Sequence, residues 1–260
     1  MTDTLIPFFL ALVRTDRTAA ARPADGDWPR LVALAADRDV LGLVATRIAR
    51  DGPAPPPAAA AALEHALTRA RRRIAWCSLH AARALEALER AGIAAVAIKG
   101  TVLAHLVYDD PAERSLRDVD LLVAPADVDR ALEVLAGVGW RPVTVPALAL
   151  YRQHHFHAVL EGDGLPPLEL HWALTRPDDP QRLEAAGLLA EREELVRPSG
   201  TLRAPRPEAH VLVAAASSLR DGFTEFKPLV DLDRLARRIE VSDIRFPSDQ
   251  VQASQGQETS

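Results

Sequence analysis

The sequence predicts an α+β protein in which a small mixed β-sheet core is flanked by N- and C-terminal helical segments. Three observations lead there. Apolar residues recur at helical spacing from residue 28 to residue 90, the pattern shifts at Ile93 to short apolar or alternating runs that last through Trp172, and helical spacing returns over 182–195 and 208–239. The divisions that follow are an N-terminal helical segment over 1–92, an α/β core over 93–175, a C-terminal helical segment over 176–240, and a polar tail over 241–260 expected to be disordered.

Taken in order, Leu31, Leu34, Ala35, Leu41, Val44, Ala45 and Ile48 form a helical stripe with a break expected near Asp39. The proline-rich run from Asp51 to Pro57 cannot continue a helix. A long helix, or two, then follows from Ala58 to Arg90, with Leu63, Leu67, Ile74, Leu79, Leu85 and Leu88 on its apolar side and Gly92 after it. Ala94 to Ile98 is a short continuous apolar run, the mark of a strand buried on both faces. Lys99-Gly-Thr101 ends it, and Val102, Leu103, Leu106 and Val107 indicate a short helix. A polar loop with Glu113, Arg114 and Arg117 leads to a second strand, Asp118 to Val123, stopped by Pro125. Asp127 to Ala136 reads as an amphipathic helix, and Phe156–Leu160 and Leu168–Trp172 as two further strands joined by a turn-rich segment. Trp76, Trp140 and Trp172 are expected in the core.

Composition narrows the function. The 260 residues carry a formal net charge of −5, so the broad basic field that drives nucleic-acid binding is missing. The dense basic stretch Arg69-Ala-Arg-Arg-Arg73 reads as a solvated helix face. The apolar patch from Leu5 to Val13 is too short to span a membrane and lacks the features of a signal peptide, so a cytoplasmic protein is expected. Cys77 is the single cysteine, which rules out an intrachain disulfide. Lysine stands only at positions 99 and 227 in a chain otherwise reliant on arginine, which draws notice to Lys99 beside the first strand.

The chemistry centres on Asp118 and Asp120. Side chains two apart on a strand point the same way, so the two carboxylates share a face while Val119 and Leu121 turn to the core. Two adjacent carboxylates repel unless a cation lies between them, and all-oxygen ligation favours Mg²⁺ or Mn²⁺ over zinc. In Leu168-Glu-Leu-His-Trp172 the same alternation puts Glu169 and His171 on one face, so a strand paired with that of Asp118 would bring a third carboxylate. Gly100-Thr101 opens a helix after a strand, an arrangement suited to phosphate, and Arg114 and Arg117 offer charge to phosphate oxygens. His154, His155, His157 and His171 lie close in sequence, but their spacing fits no helical zinc motif; only His171 is a candidate substrate contact.

This order of motifs resembles the nucleotidyltransferase superfamily related to DNA polymerase β, and within it the family of uncharacterised nucleotidyltransferases. The resemblance rests on Ile98-Lys-Gly100, Tyr108, Arg114, Asp118 to Val123, Gly139-Trp140, Glu169-Leu-His-Trp172 and Lys227 to Leu235, and it spans about residues 28–240. Thr101 stands where the superfamily has serine, and Glu169 where aspartate is usual. The resemblance implies Mg²⁺-dependent transfer of a nucleoside monophosphate from a nucleoside triphosphate to a hydroxyl of an unidentified small molecule, protein or peptide. In that scheme Asp118, Asp120 and Glu169 hold metal, Glu169 also helps deprotonate the acceptor, and Lys99, Gly100, Thr101 and Arg114 meet the triphosphate. Two alternatives share the site: transfer of the γ-phosphoryl group, and a non-catalytic nucleotide- or partner-binding protein that retains the fold.

Overall fold

The computed structural model describes residues 4–14, 22–143, 148–179 and 185–239; the tail over 241–260 lies outside them. Helices α1 (Leu5–Val13), α2 (Trp28–Asp37) and α3 (Leu41–Asp51) bury Phe8, Trp28, Leu31, Leu43 and Val44 in a shared cluster. The break between α2 and α3 falls at Asp39, whose φ is 55°, and the Val40 N–H closes the turn on the Ala35 carbonyl at 2.9 Å.

Helix α4 (Pro57–Arg90) is one continuous element of 34 residues, about 50 Å long. Proline at its first position costs no hydrogen bond, because that N–H has no intrahelical acceptor. Its early turns pack Ala59, Leu63 and Ala66 onto the helical cluster, and its later turns lay Ile74, Ala81, Leu85 and Leu88 on the sheet. The helix therefore ties the two parts together.

Strand β1 (Ala95–Ala97) runs into α5 (Gly100–Leu106), and a 3₁₀ turn at Pro111–Glu113 precedes β2 (Val119–Val123). Helix α6 (Val128–Gly137), β3 (Arg141–Pro142), α7 (Leu148–His154), β4 (His157–Glu161) and β5 (Leu168–His171) follow. The sheet order is β1-β2-β5-β4-β3, with β2 and β5 parallel and the other pairs antiparallel. The mixed sheet predicted by the alternation is thus present.

Alternation assigns the two faces. Ala95, Ala97, Val119, Leu121, Val123, Leu168 and Leu170 join α4 and α6 in the main core, together with Trp140 and Trp172. Val96, Ile98 and Leu122 turn to the opposite face, where α8 (Ala185–Ala190) and α9 (Ala209–Arg220) supply Leu188, Leu189 and Val213. Asp120 has the parity of Leu122 and therefore stands on this second face. Burying the strands on both sides leaves only the strand ends for polar groups.

One expectation is corrected. Helix was expected over 182–195, but α8 ends at Ala190, and β6 (Arg192–Arg197) and β7 (Gly200–Pro205) form an antiparallel hairpin; residues 182–184 lie outside the described set. The residues of β6 are good helix formers, so local propensity points the wrong way. Packing overrides it: β7 lies against α4 and β1 with Leu202 and Ala204 buried, and Gly200 turns the chain at φ 123°. Helix α10 (Phe226–Arg238) then pairs with α9, as expected over 208–239. Among the described residues, no helix is long and apolar enough to cross a membrane.

Candidate active site

The register of two parallel strands builds the site. Asp120 on β2 stands opposite Glu169 on β5, and Leu122 opposite His171. Asp118 lies one residue before β2 and is partly buried. On the other side of β5, antiparallel β4 places His157 opposite His171. One face of the sheet therefore gathers Asp118, Asp120, Glu169, His171 and His157.

Lys99 reaches into this group from the end of β1. Its Nζ donates to Asp120 Oδ1 at 2.6 Å and to Glu169 Oε2 at 3.3 Å, and lies 3.3 Å from His171 Nε2. The backbone that presents it has φ 52° and ψ −135°, a conformation costing a non-glycine residue about 1–3 kcal/mol. Hydrogen bonds hold it there: the Lys99 carbonyl accepts from Val102 and Leu103 in the first turn of α5, and the preceding Ile98 N–H donates to the Asp120 carbonyl.

The charges form a set with too little cation. Burial pushes the Asp120 carboxyl upward, but Lys99 and the hydrogen bond from His171 overcome it and hold it well below the usual carboxylate range. Glu169 is also held low, the cost of burial being outweighed by His171 and Lys99 despite repulsion from Asp120. Asp118 goes the other way. Burial, then repulsion from Asp120 and Glu169, raises it to about 6, with Lys99 and Lys227 giving partial relief. His171 is completely buried, with Nε2 3.0 Å from Asp120 and 3.2 Å from Glu169, so it meets the carboxylates where a substrate contact was expected.

The phosphate turn has a more specific geometry than its sequence suggests. A Cβ on Gly100 would fall 2.5 Å from Leu116 Cδ2 and 3.4 Å from the Arg114 guanidinium, so the missing side chain admits these two residues. Thr101 is fully buried, and its hydroxyl has no hydrogen-bond partner among the described residues. Arg114 does not point at the carboxylates. Its Nε and Nη2 each meet Asp231 of α10 at 2.8 Å, and Nη1 donates to the Ser115 carbonyl at 2.7 Å. The Tyr108 hydroxyl donates to the same Asp231 at 2.5 Å. Tyr108, Arg114 and the segment 227–235 thus meet in one buried network that fixes the wall behind Gly100. Arg117 pairs with Asp39 at 3.2 Å and is largely exposed.

Three neighbours were not assigned to the site by sequence reasoning. His157 came to the site through the β4–β5 register, which no local pattern encodes. From the C-terminal helices, Lys227 acts electrostatically on Asp118 and Arg220 on Lys99; Arg220 also lies over the Phe156 ring at 5.2 Å. Arg220 carries no local signal, whereas Lys227 is one of two lysines in the chain and opens the segment Lys227 to Leu235 on which the resemblance partly rests.

A divalent cation suits this donor set. A protein ammonium already bridges Asp120 and Glu169, and the repulsion that these two carboxylates exert on Asp118 is only partly relieved by Lys99 and Lys227. Among the described residues, the three that bring one donor atom each within 4.8 Å of one another are His157, Glu169 and His171, a group that shares only Glu169 with the three carboxylates.

A family model described as "Uncharacterised nucleotidyltransferase" matches residues 24–253. Among solved structures, the chain is similar to the antibiotic-resistance factor ANT(2'')-Ia at 13% identity, covering 62% of this chain and 83% of that one, with a TM-score of 0.44. It is similar to the lincosamide antibiotic adenylyltransferase LnuA at 14% identity, covering 62% and 93%, with a TM-score of 0.38. A nucleotidyltransferase-like protein from Paracoccidioides brasiliensis gives 16% identity, coverage of 62% and 74%, and a TM-score of 0.40. Comparison with curated proteins gives no match.

Proposed function

This chain belongs to the uncharacterised nucleotidyltransferase family, and from that premise we propose that it transfers a nucleoside monophosphate from a nucleoside triphosphate to an acceptor hydroxyl in a Mg²⁺-dependent reaction. The observation that carries the reading is the β2–β5 register, which sets Asp120 beside Glu169 with Asp118 at the entrance to the same face.

Asp118, Asp120 and Glu169 are the residues that would hold Mg²⁺ or Mn²⁺, since oxygen donors suit hard divalent cations. Such ions, when bound, stabilise charge on the attacking and leaving oxygens of an in-line displacement. The acceptor oxygen forms a bond to the α-phosphorus as the bond from that phosphorus to the β-phosphate oxygen breaks. Pyrophosphate departs with the electron pair, and Glu169 receives the hydroxyl proton. His171 keeps Glu169 and Asp120 oriented by facing both from a fully buried position.

Lys99 serves two states. Without nucleotide it neutralises Asp120 and Glu169; with nucleotide it turns its point charge to the triphosphate. Gly100 and Thr101 line the β- and γ-phosphates, and the Arg114 charge acts from behind Gly100. Lys227 and Arg220 add positive charge from the C-terminal side.

Incubation with Mg²⁺ and nucleoside triphosphate labelled at the α or γ position, in the presence of a cell extract, tests the reading. Label should pass to an acceptor from the α position and vanish with Asp118→Ala. Transfer from the γ position alone identifies a kinase, and absence of transfer beside intact nucleotide binding identifies a non-catalytic binder.

A further inference from the structure

Arg69 and Arg72 of α4 are exposed, as expected of a solvated face, and their side of the helix also borders a recess. Arg69, Arg72, Arg73 and Trp76 follow the spacing i, i+3, i+4, i+7, which puts them on one side of the helix. That side lines a cavity of ≈ 780 Å³ whose other walls come from the α2–α3 turn at Asp39 and the loop of Ser115 to Arg117. Arg71, one step around the helix, faces away and pairs with Asp110 at 3.1 Å.

The lining is strongly cationic in a chain whose net charge is −5. Arg69, Arg72, Arg73 and Arg117 face a single acid, Asp39, which is already paired with Lys227 at 2.7 Å and Arg117 at 3.2 Å. Among the described residues, no carboxylate pairs with Arg69 or Arg72. Arg73 is fixed by carbonyls instead: it donates to Leu116 and Arg117 and lies over the Trp76 ring at 4.5 Å. Like charges gathered in one recess repel unless an anion enters.

The cavity also reaches the loop that leads into Asp118. Arg117 on its wall is the residue before Asp118, and Leu116 on the same wall packs against Gly100, where an added Cβ would meet its Cδ2. Lys227 of α10 holds Asp39 at the cavity wall.

We infer that this cavity binds the acceptor, and that the acceptor is a small molecule with a phosphate or carboxylate group held by Arg69, Arg72 and Arg117 and an apolar or planar part against Trp76. The inference rests on the nucleotidyl-transfer reading for the word acceptor; the anion site itself does not. The volume lies in the range of small-ligand pockets, about 300–1,000 Å³, which favours a small molecule. Guanidinium forks recognise phosphate and carboxylate alike.

Trp76 makes the test direct. Phenyl phosphate, benzoate and benzylamine are titrated against the full chain by intrinsic tryptophan fluorescence, with Trp76→Phe as the control for a local signal. Saturable quenching is expected for the two anions and absent for the amine, and stronger quenching by one anion identifies which group the site prefers. Arg69→Glu with Arg72→Glu, both exposed positions, should weaken the anion by about tenfold or more, while thermal stabilisation by Mn²⁺ and ATP is retained. Equal responses to anion and amine, or quenching unchanged in the double variant, overturns the anion site. Competitive loss of phenyl phosphate on adding Mn²⁺ and ATP gives the cavity to the triphosphate and overturns the acceptor assignment. A missing stabilisation by Mn²⁺ and ATP removes nucleotidyl transfer, and the acceptor role with it, whatever the anion does.

Discussion

The ammonium of Lys99 lies 2.6 Å from Oδ1 of Asp120, held there by a lysine backbone in the left-handed region at φ 52°. A strained residue is thus used to deliver the counter-charge of a buried carboxylate. Lys99→Ala should cost about 3 kcal/mol, the usual scale for removing one partner of a buried pair. Lys99→Gly loses the same charge but relaxes the backbone, and should recover about 1 kcal/mol of that. Chemical denaturation of both variants checks the order, and Mn²⁺ should stabilise each of them more than it stabilises the parent protein.

Asp231 is the centre of a second buried charge group and joins α10 to the loop behind Gly100. Asp231→Asn leaves Arg114 without its counter-charge and should cost about 3–5 kcal/mol. Tyr108→Phe removes one hydrogen bond and should cost about 1–2 kcal/mol. Because both act on one carboxylate, the double variant should fall short of the sum, which a denaturation cycle measures.

Gly100→Ala should be felt through Leu116. The new methyl meets Leu116 Cδ2 at 2.5 Å, an overpacking cost of about 1–3 kcal/mol. Leu116→Ala in the same chain makes room, so Gly100→Ala should cost less in that background. Equal costs in both backgrounds would place the glycine requirement elsewhere.

The alternation of polar and apolar residues made much of this legible. Asp118, Asp120, Glu169 and His171 could be assigned to one face because strand periodicity is two, and β2 and β5 carry that period without interruption. Their parallel pairing was only a condition in the sequence, since register depends on which strands meet. The same holds for His157, which reaches the site across two strands. Arg114 illustrates another gap: its place in the loop suggested a phosphate contact, and nothing local announces its Asp231 partner, 117 residues away on α10. Hairpin β6–β7 was hidden by helix-forming residues whose preference is overridden by packing against α4.

Stability should fall in mild acid through His210. The imidazole is fully buried, and burial lowers its value to about 4, with the Pro205 carbonyl opposing in part. The unfolded chain binds this proton near pH 6.5, so between there and about pH 4 it takes up more protons than the folded one. The contribution is therefore present in full above pH 6.5 and is lost as pH falls toward 4, reaching on the order of 2–3 kcal/mol. Urea denaturation between pH 7.5 and 4.5 reads the loss, and His210→Phe should flatten the slope over that range.

The central claim is that Asp118, Asp120 and Glu169 hold the divalent cation that brings nucleotide to the β2–β5 face. Electron paramagnetic resonance of Mn²⁺ during titration with protein and ATP measures this directly, with Asp120→Asn and Glu169→Gln as variants whose folding is checked by thermal unfolding. Bound Mn²⁺ should appear with the parent protein and ATP, and its affinity should drop by at least about tenfold in each variant, the scale of one lost charged ligand. Mn²⁺ and ATP bound equally well by folded Asp120→Asn protein would contradict the account.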